Sequence, residues 1–432
     1  MHHLAKIVVA SSILAGVPAQ AVTEITYWLW DNNQLASYQA CAQAFEKQNP
    51  DIKIIITQTG WFDYWTALST AFVSGTAPDV FWDHLSRYPE FISNNLLVDL
   101  APLIARDKVS TDIYVGGLVK VWGRNGKQYG LPKDWDTIGM VYNKAMLAKA
   151  GIDPKSLWDL DWNPGDGGSF RRVIAKLSID ATGKTGLDQG FNPKDVTQYG
   201  LVLNGLGHEE WANFAASLGW NYCDGPWATR FNYDDPKLIE TIRWFADRSL
   251  KKGFIVPTKD ARQAAATGLF AAPKGAIAMT GSWLVHWFTE NCRFEIGFAP
   301  LPKGPVGRRT VINGLADSIW IGTKHPEEAW KWVKFLAAPE AQEIVASYGI
   351  VFPAVREATE IAKERMAAHG VDTSAFVEEA KNPQGTFFLP ITDHGNDAVR
   401  ILRATFDAIF LDGADAAPKL QAANQEIDSL FQ

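Results

Sequence analysis

Ile25-Thr26-Tyr27-Trp28-Leu29-Trp30, the stretch Leu35 to Gln48, and Ile52-Lys53-Ile54-Ile55-Ile56-Thr57 together decide the fold. The first and third are short runs of β-branched and aromatic residues and read as strands. Between them Leu35, Tyr38, Cys41/Ala42 and Phe45 recur at helical spacing until Asn49-Pro50 stops the helix. A second helix over Tyr64 to Val73 ends at Ser74-Gly75 and leads into a third strand, Asp79-Val80-Phe81-Trp82. Strand, helix, strand, helix, strand with short links implies an α/β protein whose parallel sheet is covered on both faces.

Ligands of such sheets gather beyond the carboxyl ends of the strands. Here those ends read Trp30-Asp31-Asn32-Asn33, Gly60-Trp61 and Trp82-Asp83-His84, each carrying a tryptophan beside or near a polar group able to hold a hydroxyl. Further on, Tyr129 to Asp136 and Ile138 to Lys144 look like a chain crossing between lobes, with Pro132 stiffening it and Trp135-Asp136 facing the gap. Asp161 to Asn192 is loop-rich. Helical patterns return over Glu209 to Leu218, Pro236 to Leu250 and Ala261 to Leu269. Met279 to Trp283 opens another helix with Ser282 as its cap, Val311 to Gly322 is strand-like and holds Asn313, and Gly349 to Pro353 is a third crossing.

At 432 residues the chain is too long for one ordinary core, so two domains are the default. The net charge of -7 is spread along the chain without a basic run, which argues against nucleic acid as a partner. Residues 1–21 combine Lys6, an apolar run from Ile7 to Val17 and a small-x-small end at Ala19-Gln20-Ala21, the pattern of a cleaved signal peptide. No cysteine follows the cleavage point, so a periplasmic protein without a lipid anchor is expected. Cys41 lies on an apolar stripe and reads as a buried thiol. Cys223 and Cys292 could pair in an oxidising compartment, and their spacing fits no metal site.

The order of elements resembles that of the family 1 extracellular solute-binding proteins, the sugar-binding group of ABC importers that includes maltose-binding protein. The carrying segments are Phe45-Glu46-Lys47 with Pro50 to Lys53, Gly75 to Val80, Leu96 to Leu100, Tyr129 to Pro132, Val141 to Lys144, Gly275 to Met279 with Gly281-Ser282-Trp283, and Glu327 to Trp330 with Phe335-Leu336. The resemblance implies a type II periplasmic binding fold: two lobes, each a sheet flanked by helices, closing on a sugar and docking on membrane permease subunits. The lobes are expected at 22–133 with 301–348, and at 134–300 with 349–432. It further implies that Trp30 to Asn33, Asp83, Asp136 and Trp283 line the cleft, with an aromatic contribution from Gly207 to Trp211 and a late one from Phe388 to Asn396. That late segment has no Trp, and the first loop reads Asp-Asn-Asn, which points away from maltose itself.

A pyranose has apolar C–H faces and a rim of hydroxyls, so its site needs flat aromatic surfaces beside bidentate hydrogen-bonding groups. The candidate binding residues are Trp30, Asp31, Asn32, Asn33, Trp61, Asp83, Trp135, Asp136, His208, Glu209, Trp211, Ser282, Trp283, Asn313 and His394. With eighteen tryptophans most must be core, as Trp158, Trp244, Trp330 and Trp332 are expected to be. A monomer without cofactor or metal, and without catalysis, is the expectation. A glycoside hydrolase would have to use Asp83 and Asp136 as its carboxylate pair, and a polyamine would also suit carboxylates with aromatic walls.

Overall fold

In the computed structural model, residues 22–203, 207–382 and 384–432 are described, without the side chains of His208 and Glu209. The leader expected at 1–21 lies outside the described residues. Thr23–Leu29, Ile52–Gln58 and Val80–His84 are the first three strands, separated by helices Leu35–Gln48 and Trp61–Ser74. Ile25, Tyr27 and Leu29 alternate into the core, and helix Leu35–Gln48 covers them with Tyr38, Cys41, Ala42 and Phe45. Burying each large side chain of this kind contributes about 1.5–3 kcal/mol. Gly75 ends the second helix in the left-handed region (φ 71°), a conformation that costs glycine nothing.

The sheet continues through both lobes in the order Ile52–Gln58, Thr23–Leu29, Val80–His84, Thr310–Ile319, Leu131–Asn143, Gly275–Gly281, Val196–Val202, Ile179–Asp180. The first three are parallel as expected, but Thr310–Ile319 runs antiparallel to Val80–His84 and to Leu131–Asn143, so the sheet is mixed. The crossing read at Tyr129 to Lys144 is one thirteen-residue strand, Leu131–Asn143, buried throughout. Its first half pairs with Thr310–Ile319 and its second half with Gly275–Gly281 and Ile296–Ala299. The two lobes therefore share a strand. One face of the second lobe's sheet packs Leu201, Ile277, Met140, Phe245 and Phe406 together, and the other buries Val202, Ala278, Phe270 and Phe288.

Three readings change. The crossing expected at Gly349 to Pro353 lies inside the first lobe's sheet. Phe352 pairs with Trp135 and Pro353 with Asp134, and the next helix, Arg356–Ala368, packs on Pro339–Ser347. Met279 belongs to a strand rather than a helix, and Ser282 is not a cap: it begins a 3-10 turn, Ser282–Leu284, before helix Val285–Asn291. The helix expected over Ala261 to Leu269 breaks at Ala265 (φ 55°) into Thr258–Ala264 and Ala266–Ala271.

All three thiols are free. Cys41 is buried, and desolvation pushes its thiol up to about 12. Cys223 packs against the second lobe's core and Cys292 against the other cluster.

Candidate functional site

The shared strand places Asp136 at the junction of the lobes, and register puts Asn313 directly opposite it. Asn313 Nδ2 donates to Asp136 Oδ2 at 3.2 Å and stands 3.0 Å from His84 Nε2. His84 is held from behind, its Nδ1 2.8 Å from Ser86 Oγ and 3.2 Å from the Ser86 amide. All three side chains are nearly buried, and Asn313 Oδ1 has no hydrogen-bond partner among the described residues. A compact polar floor with acceptor and donor atoms side by side results.

Beside it rises an aromatic wall. Trp61 meets His84 edge-on at 5.5 Å and Trp30 at 5.1 Å. Trp30 is in turn backed by Trp82, Tyr64 and Trp65 at 5.0–5.4 Å. Trp30 and Trp61 remain half-buried. Asp31 has a local task, accepting from the Asn33 amide and Gln34 Nε2, both at 2.9 Å, to cap the turn after the first strand. Asn32 and Asn33 are exposed at the rim.

From the second lobe, Trp283 stands just past the strand end at Gly281, which pairs with Ile138 two residues beyond Asp136. A Cβ at Gly281 would lie 1.9 Å from the Trp283 ring, so the glycine is what lets this half-buried ring fold back over the strand. Ser282 between them is buried.

Four expected residues lie elsewhere. Trp135 does not face the gap: it neighbours Asp136 on one strand and so points to the opposite face, where it stacks on Phe352 and donates to Thr359 Oγ1 at 3.1 Å. Asp83 is likewise one residue from His84 and faces away, fully buried, accepting from the His84 amide (2.8 Å) and Ser318 Oγ (3.0 Å). Burial raises its carboxyl to about 8 against the pull of those two donors. Trp211 is core, packed among Trp220, Tyr222 and Phe406. His394 turns its ring onto Phe431 at 4.9 Å, toward the C-terminus. His208 and Glu209 have no described side chains.

Sequence reasoning missed two features. His84 ends the same strand as Asp83, and strand parity is the signal that separates them. Lys133 is nearly fully buried under the wall, its Nζ 3.6 Å from the Trp82 ring centroid and 2.7 Å from Asp134 Oδ2. Leu315 pairs with Asp134 and Ala316 with Pro132, so Lys133 is the extra residue of a bulge. Nearby Asp317 accepts from Tyr27 at 2.7 Å, and burial raises its carboxyl to about 7, opposed by Lys133.

This architecture defines a class: two-lobed α/β binding proteins with a polar and aromatic cleft at a shared strand. The family model described as bacterial extracellular solute-binding protein matches residues 30–343, and the chain belongs to that family. A relative, the arabinooligosaccharide-binding protein of Bacillus subtilis, is 32% identical over 162 residues, 36% of each chain. The maltotriose-binding protein of Pyrococcus abyssi is 24% identical over 338 residues, 72% of this chain and 62% of that one. These matches thus span less than two thirds of either relative. Among solved structures, the ABC substrate-binding protein Lmo0181 from Listeria monocytogenes, in complex with cycloalternan, superposes with a TM-score of 0.81 at 22% identity, covering 95% of this chain and 99% of that one. Among the described residues no helix is long and apolar enough to cross a membrane.

Proposed function

We propose that this chain is the carbohydrate receptor of an ABC importer, capturing a mono- to oligosaccharide between its lobes and presenting it to membrane permease subunits. The observation that carries this reading is the Asp136, Asn313 and His84 floor beside the Trp30 and Trp61 wall. A carboxylate and an amide at one level suit vicinal hydroxyls, and half-buried indole faces suit the C–H face of a pyranose. The ligands named for the relatives, an arabinooligosaccharide, maltotriose and cycloalternan, are all carbohydrates and support the same class. Trp283 supplies the second lobe's surface, so a bound sugar touches both lobes and stabilises their closed arrangement.

The protein binds and releases its ligand unchanged. A hydrolase needs two carboxylates flanking one bond, and Asp83 and Asp136 point to opposite faces of the sheet. Export by the leader at 1–21, a periplasmic location and a monomeric state belong to the same reading.

A thermal-shift screen of the chain from Val22 onward tests it, using mono- and oligosaccharides with polyamines and iron complexes as controls. Ligand binding to the native state raises the melting temperature by mass action. A rise with one class of sugar, recovered intact, is the expected result. A rise only with the controls, or cleavage of the sugar, overturns the reading.

A further inference from the structure

A second set of contacts joins the lobes away from the polar floor. From the second lobe come Ile391 to Asn396, leading into helix Gly395–Phe410, which packs on Ala416–Ser429 and Pro236–Leu250. The loop holding Trp227 comes from the same lobe, anchored where the Phe231 amide donates to Asp428 Oδ1 at 2.9 Å. Facing them on the first lobe are helix Tyr88–Ser93 and the hairpin of Gly123–Arg124 with Lys127–Gln128.

Asp393 is the centre of the contact. Arg124 grips it with both terminal nitrogens, at 2.6 and 2.7 Å, and Ser93 Oγ donates to it at 2.7 Å. Trp227 roofs the pair, its ring 4.2 Å from the Arg124 guanidinium carbon. The Trp227 indole donates across the gap to the Gly123 carbonyl at 3.2 Å, and its amide donates to the Ile391 carbonyl at 2.7 Å. Arg87 and Glu90 both bond Asn396, and a Cβ at Gly395 would stand 3.4 Å from the Ser86 carbonyl. Trp227 holds this place with φ at 65°, a backbone region costly for any residue but glycine. A bidentate arginine–carboxylate pair is the strong and geometrically demanding kind, and here it spans two bodies rather than one.

We infer that Asp393, Arg124 and Trp227 form an interlobe latch that holds the lobes together on one side of the cleft. Every group in it belongs to the protein, so its contribution to closure does not depend on what the cleft holds. Its partners exist only when the lobes meet, which makes them positioning residues for the closed form. The latch reaches the floor through Ser86, whose carbonyl faces Gly395 and whose hydroxyl stands 2.8 Å from His84 Nδ1.

Small-angle scattering of the full chain with no carbohydrate added tests the latch, and so is independent of the ligand assignment. The wild type is expected to match the curve calculated from this structure. Arg124→Asp is expected to raise the radius of gyration, and adding Asp393→Arg to bring it back down. Trp227→Ala, which leaves both charges in place, provides a second readout and is expected to give a smaller rise. Unfolding midpoints measured alongside distinguish opening from loss of fold, because a lobe that has only swung open keeps its cooperative transition. A wild-type curve already expanded, or curves for Arg124→Asp and Trp227→Ala that superpose on a compact wild type, overturns the latch.

Discussion

Trp30 and Trp211 sit in aromatic clusters of the same kind, with ring centroids 5–6 Å apart and mostly steep interplanar angles. They differ in what stands on the open side. Trp30 and Trp61 cap strand ends, where the chain turns away and leaves one face uncovered. Trp211 lies in a turn of π-helix, His208–Ala212, pressed between Phe406 and Trp220, and is covered on all sides. The residue type and pair geometry therefore say little about role. Position relative to a strand end says most.

The comparison breaks at its strongest point if Trp211→Ala affects binding more than folding. Truncating a buried Trp is expected to cost about 3–5 kcal/mol of stability, read by denaturant unfolding. Affinity for the best sugar from the thermal-shift screen should stay unchanged in that variant. Asp136→Ala should do the reverse: losing hydrogen bonds to a charged group, about 1.5–3 kcal/mol, weakens binding about 10- to 150-fold by calorimetric titration. Trp61→Ala removes one stacking face, about 0.5–1.5 kcal/mol, or roughly 2- to 10-fold in Kd, with the melting temperature little moved. Asn32→Ala, exposed at the rim, should shift stability by no more than about 0.5 kcal/mol; a larger loss of affinity there would extend the floor outward to the turn that Asp31 caps.

Much of the fold was legible because it rests on periodicity. Helices Leu35–Gln48 and Pro236–Leu250 have the bounds that their apolar spacing and flanking Asn, Pro and Asp imply. Trp244, Trp330 and Trp332 are core, as their helical contexts require, while Trp158 packs only partly against it. Of the site residues, Trp30, Trp61, Asp136 and Asn313 gather around His84, and Trp283 stands past the end of the strand paired with Ile138. The failures share a cause. Trp135 is expected to face the gap with Asp136, and Asp83 is expected there in place of His84, whereas a strand sends neighbours to opposite faces. Choosing between the two faces needs the pairing register, and the bulge at Lys133 changes parity within the shared strand itself. Trp211 failed for another reason: a Trp near a lobe boundary can fill either a cleft or a core, and only tertiary packing decides.

The strand Leu131–Asn143 has a mechanical consequence. Because one unbroken backbone is hydrogen-bonded into the sheet of both lobes, the lobes can tilt where it passes between them but cannot slide along one another without breaking a ladder. Asp136 and Asn313 pair close to the point where that strand leaves the first lobe's ladder for the second's, so a tilt there displaces them little. On the proposed reading, the floor offered to the first hydroxyls keeps its shape as the lobes tilt, and the tilt is registered by groups held on opposite lobes, Asp393 with Arg124 among them.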